Sequence, residues 1–98
     1  MEIVCNAKDG RLEMGLSGRL DTVTAPQLEA AMSSNLGGVK ELRLDFKNLE
    51  YVSSAGLRVL LTTQKKMNRQ GSMEVFNVND TIMEVFEITG FVDILTIK

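Results

Sequence analysis

The sequence contains no histidine and no tryptophan, and only one cysteine, one proline and one tyrosine. Without an imidazole there is no general base for Ser-His or Cys-His catalysis. With one thiol and no histidine, no ordinary Cys/His zinc site can be assembled. Cys5 has no partner for an internal disulfide. Lying in an apolar N-terminal run, it reads as a small buried residue, and a lone thiol suits a reducing compartment. No hydrophobic run approaches the roughly 20 residues of a membrane-spanning helix, and the first residues lack the basic-then-apolar order of a signal peptide. A cytoplasmic protein without membrane insertion is expected. A basic excess is missing too: 11 Lys and Arg against 13 Asp and Glu give a net charge of -2. A nucleic-acid surface would need clustered positive charge, so none is expected.

What is present suits a single soluble domain spanning residues 1-98. The chain is 44% hydrophobic and 24% charged, long enough for one core and too short for two. Met1 to Ala7 reads as a first strand, and Asp9-Gly10 as a hairpin turn. Leu12, Met14 and Leu16 alternate with Arg11, Glu13 and Gly15, which predicts a second strand with one buried face. Thr24-Ala25-Pro26-Gln27 carries the marks of a helix start: a threonine cap, proline in the first turn, and glutamine three residues after the cap. A helix over about 25-35 follows, with Leu28, Ala31 and Met32 as its apolar stripe and Gly37-Gly38 as its stop. Leu42, Leu44 and Phe46 predict a third strand, followed by a linker, Lys47 to Glu50.

From Ser54 the period becomes helical. Leu57, Leu60, Leu61, Gln64 and Asn68 share one side, while Arg58, Thr62, Lys65 and Arg69 form a solvated flank. Met73 to Val78 predicts a fourth strand. Asn79-Asp80 opens a third helix, apolar over a broad arc at Ile82, Met83, Val85, Phe86 and Ile88. Ile94 to Ile97 reads as a short final strand. Strand and helix alternate, which argues for an α/β layer with parallel pairing in the middle.

The stretch Tyr51 to Leu61, Y-V-S-S-A-G-L-R-V-L-L, joins an apolar strand to a helix through two serines. Three uses compete for them. Ser53 or Ser54 could simply cap the helix. Ser54 as a nucleophile finds no support: there is no base, Val52 stands where a G-x-S-x-G elbow needs glycine, and no S-x-x-K follows. Ser54 as a phosphoacceptor is compatible with the chemistry, because a phosphoserine at a helix N-terminus meets free N–H groups and the positive end of the dipole. Gly56 either leaves room for another backbone to approach or relieves crowding against the sheet, and Arg58 lies near enough in helical angle to meet a phosphate.

These residues resemble the STAS family, the domain shared by sulfate transporters and bacterial anti-sigma factor antagonists. Three pieces carry the resemblance: G-R-L-D with T-A-P-Q-L between Gly18 and Leu28, the strand L-R-L-D-F-K-N-L-E-Y, and Y-V-S-S-A-G-L-R-V-L-L. The family's usual run is an aspartate, the phosphorylated serine, Ser or Thr, Gly and Leu. Ser54 falls on the phosphoacceptor and Gly56-Leu57 match, whereas Ser53 stands in place of the aspartate and Ala55 in place of the Ser or Thr. Asp21 corresponds to the family's aspartate after the second strand, at the partner-facing end, or serves only as a turn and cap residue; Thr22 and Thr24 would line the same end. Val59, pointing away from the Leu57/Leu60/Leu61 stripe, is either a partner contact or buried under the third helix.

The resemblance implies a STAS-type mixed sheet of four or five strands with three or four helices mainly on one side. It implies a binding protein, not an enzyme, with no cofactor and no metal. The partners would be an anti-sigma factor that is itself a serine kinase, released by phosphorylation of Ser54, and a phosphatase that resets the switch. Partner contacts would come from Asp21, Thr22, Thr24, Ser53, Ala55, Gly56, Leu57, Arg58 and Val59. The alternative is a STAS module that is never phosphorylated, acting as a scaffold or as the soluble subunit of a lipid or solute transport system.

Overall fold

Asp9 and Gly10 both adopt positive φ, 51° and 80°, the backbone that a two-residue hairpin loop requires. The computed structural model, which describes residues 1-98, accordingly folds β1 (Glu2–Lys8) back onto β2 (Arg11–Leu20) in antiparallel register, with Lys8 opposite Arg11. α1 (Ala25–Asn35) leads to β3 (Glu41–Val52), α2 (Ser54–Gln70) to β4 (Ser72–Phe76), and α3 (Asp80–Thr89) to a 3-10 turn at Phe91–Asp93. The sheet order is β1-β2-β3-β4, with β2–β3 and β3–β4 parallel. Each parallel step moves the same way across the sheet, so right-handed crossovers place α1 and α2 on one face. α3 joins them there, with Phe86 6.4 Å from Phe46 between ring centroids.

Beneath the helices lies one cluster of 23 buried apolar residues, built from Leu12, Met14, Leu16 and Leu20 of β2, the alternating side chains of β3 and β4, and the inner stripes of the helices. The other face of the sheet is open to solvent. There Arg43 lies between Glu13 and Glu74, at 3.7 Å from each, and over the Phe76 ring at 4.7 Å. Such half-exposed pairs contribute little stability.

The expected mixed sheet and helix-bearing face are present, and several details differ. The linker at 47-50 is strand: β3 continues to Val52, with Phe46, Leu49 and Val52 all buried. Two register shifts against β2 convert the spacing of two into a spacing of three, which hides the strand from an alternation test. The final strand shrinks to a single parallel bridge, Val75 with Ile97. Gly90, at φ 80°, turns the chain into the 3-10 segment before it can extend. Cys5 is exposed. It lies opposite Met14, on the helix-bearing face, but β1 is the edge strand and no helix reaches over it. Ile88 is 78% exposed, because Ile82 and Phe86, one turn apart, face the core with Val85 half-buried beside them, and Ile88 falls on the outer side of the helix.

Candidate functional site

β2 and β3 end side by side, Arg19 opposite Tyr51 and Leu20 opposite Val52. The Ser53 N–H continues the ladder by donating to the Leu20 carbonyl at 2.8 Å, so the loop after β2 and the mouth of α2 form one surface. Gly56 tightens the join. A Cβ there would lie 2.6 Å from Leu20 Cγ and 3.2 Å from its carbonyl oxygen.

Ser53 is the N-cap of α2, with extended backbone, and its hydroxyl accepts from the Gly56 N–H at 3.4 Å, a long and weak bond. The Ser53 carbonyl accepts from Leu57 N–H at 2.9 Å. The N–H groups of Ser54 and Ala55 have no acceptor within the protein, the usual situation of a first helical turn. Ser54 itself is exposed, and its hydroxyl makes no hydrogen bond.

Across from it, the Asp21 carboxylate organises the β2–α1 loop. Its Oδ1 accepts from the amides of Val23 (3.0 Å) and Thr24 (3.1 Å). Thr24 Oγ1 accepts from the Asp21 amide at 2.9 Å and donates to the Arg19 carbonyl at 2.7 Å. The Thr24 side chain therefore serves this loop and makes no helix-capping bond, contrary to the capping role expected of it. Gln27 likewise donates to the Met1 carbonyl instead of closing a capping box. The Arg19 guanidinium lies over the Tyr51 ring at 4.4 Å and 3.9 Å from Asp21 Oδ2. Asp21 is held below its ordinary pKa of 3.8, chiefly by the Thr24 amide; desolvation opposes this, and the Thr24 hydroxyl, the Val23 amide and Arg19 add to it.

Of the expected contact residues, Thr22 and Arg58 are exposed, Asp21, Thr24, Ser53 and Ala55 are half-buried, and Gly56, Leu57 and Val59 are buried. The last three support the surface from behind. Val59, 6% exposed, lines a narrow cleft with Met32 and Leu36, so it lies against α1 and not under α3. Arg58 forms no ion pair within the protein. Val23 went unnoticed in the sequence, yet it is 85% exposed at the tip of the Asp21 loop. Its signal was an apolar residue alone in the polar run Asp21-Thr22-Val23-Thr24.

The STAS domain profile matches residues 2-98. The chain belongs to the STAS domain family. Among relatives, it is 35% identical to a candidate anti-sigma factor antagonist of Bordetella bronchiseptica, BtrV, over 99% of this chain and 85% of that protein. It is 34% identical to the anti-sigma-B factor antagonist of Listeria monocytogenes over 89% of this chain and 78% of that one. Among solved structures of this STAS fold, an anti-sigma factor antagonist from Mycobacterium paratuberculosis superposes with a TM-score of 0.88 at 25% identity, covering 98% of this chain and 83% of the other. SpoIIAA in its unphosphorylated form matches at a TM-score of 0.76 and 19% identity, over 99% and 87%. Its phosphorylated form matches at 0.76 and 20%, over 99% and 91%.

Proposed function

We propose that this STAS domain is an anti-sigma factor antagonist, that its partner is an anti-sigma factor with serine-kinase activity, and that phosphorylation of Ser54 ends their complex. The observation that carries this reading is the division of labour between the two serines. Ser53 caps α2, which leaves the exposed Ser54 hydroxyl without a structural bond and available for transfer. The relatives named as anti-sigma factor antagonists support the same role.

In the transfer, Ser54 Oγ bonds to the γ-phosphorus of ATP held by the kinase, the bond to ADP breaks, and the hydroxyl proton passes to a base on the kinase. No cofactor need reside on this chain. The new phosphate lies beside the free Ser54 and Ala55 amides and the positive end of the α2 dipole, where its charge is tolerated. A partner seated on the neutral serine, on Thr22, Val23 and on the Asp21 loop would instead meet charge and bulk. A phosphatase would restore the binding form. Ser53 in place of the family's aspartate is consistent with this, since serine and aspartate are both good N-caps. No helix of the protein is long and apolar enough to cross a membrane, and the switch would operate in the cytoplasm.

The test is incubation with the cognate anti-sigma factor and ATP, read by intact mass. One added phosphate is expected on the wild type and none on Ser54→Ala. An unmodified wild type alongside an active kinase would overturn the reading and leave a non-phosphorylated scaffold or transport subunit in its place.

A further inference from the structure

The two edges of the sheet are treated differently. Beyond β4, the tail covers part of the edge: Val75 N–H donates to the Thr96 carbonyl and Lys98 N–H to the Val75 carbonyl, both at 2.9 Å. Beyond β1 there is nothing. β1 pairs with β2 along all seven residues without a bulge, contains no proline, and has charges only at its ends, Glu2 and Lys8. It therefore lacks the devices that usually keep an edge strand from pairing with another chain.

The geometry points to a second copy of this chain as the partner: we propose that two copies pair antiparallel through β1, about a two-fold axis at Cys5, into one continuous eight-stranded sheet. The hairpin loop closes on Lys8 and Arg11 as a hydrogen-bonded pair, so alternation aims the amides and carbonyls of Glu2, Val4, Asn6 and Lys8 at β2 and those of Ile3, Cys5 and Ala7 outward. Centred on Cys5, these outward groups match one another. Ile3 falls opposite Ala7 of the second copy, Cys5 opposite Cys5, and Glu2 opposite Lys8 at both ends. Only this register pairs the full strand, and it brings opposite charges together twice, in the self-complementary manner of a two-fold interface. β1 begins at the end of the sheet that carries Ser54, since Glu2 lies opposite Ser17 of β2. The two Ser54 surfaces therefore emerge at opposite ends of the joined sheet, free for partners, and the inference stands apart from the reading of Ser54.

The experiment combines sedimentation equilibrium with coupling of the Cys5 thiols by a short bismaleimide. The wild type is expected to dimerise and to couple through Cys5. Lys8→Glu, which sets two glutamates opposite each other at both ends, is expected to raise the dimer Kd about tenfold. Glu2→Lys combined with Lys8→Glu is expected to restore both dimer and coupling. Both positions are exposed, so these variants fold. A chain that stays monomeric up to its solubility limit overturns the proposal, as does a dimer whose Kd ignores the charge reversal or whose Cys5 thiols do not couple.

Discussion

Ser53 and Asp21 show how much one polar side chain decides at this surface. Ser53→Ala removes the α2 cap and should destabilise the fold by about 1 kcal/mol, while Ser53→Asp, which caps equally well, should leave the urea midpoint nearly unchanged. If Ser53→Asp instead destabilises as much as alanine does, the cap is not what Ser53 contributes. Asp21 supplies a pH dependence. Its folded pKa lies below 3.8, so its contribution is fully present above the unfolded value and disappears as pH falls through the folded one. Asp21→Asn keeps an oxygen acceptor and loses the titration. The stability difference between wild type and Asp21→Asn should therefore shrink between pH 7 and pH 3, measured by urea unfolding at each pH.

Among the elements, α2 was legible at its start, because Ser53-Ser54 is a local signal, but only in part along its face. Leu57, Leu60 and Gln64 are buried as expected, whereas Leu61 is half-buried, Asn68 is exposed, and Val59, Thr63 and Met67 complete the buried side because α2 packs against α1 as well as the sheet. The sequence did not show why Gly71 must be glycine. Its φ of 175° is ordinary extended backbone; the requirement is space, since a Cβ would lie 1.8 Å from the Lys40 carbonyl oxygen, the acceptor of the Ser72 amide. Gly71→Ala should separate the start of β4 from β3 and cost about 3 kcal/mol or more, seen as a lower Tm or insoluble protein. Gly37→Ala, where a Cβ meets nothing within 4 Å, is the control and should be near neutral. β3 escaped a full reading for the opposite reason. Its register shifts against β2 are an agreement between two strands, and neither strand's sequence announces it.

For the molecule as a whole, the fold and the switch proposed at Ser54 should be separable. Ser54 is exposed and bonds to nothing, so Ser54→Asp should shift Tm by no more than a degree or two while abolishing binding to the proposed anti-sigma factor partner. A large fall in Tm would mean that the residue is structural.

The order of strands and helices, the helix mouth at Ser53-Ser54 and the buried alternation of β2 could be read directly from the chain, because each depends on residues within a turn or two of one another. Burial at the margins could not. Cys5 and Ile88 are apolar in pattern and exposed in fact, Val59 faces α1, Thr24 bonds back to Arg19, and the tail provides one bridge in place of a strand. Each of these outcomes depends on which element lies overhead or alongside, a contact made across the sheet, and local periodicity carries no record of it.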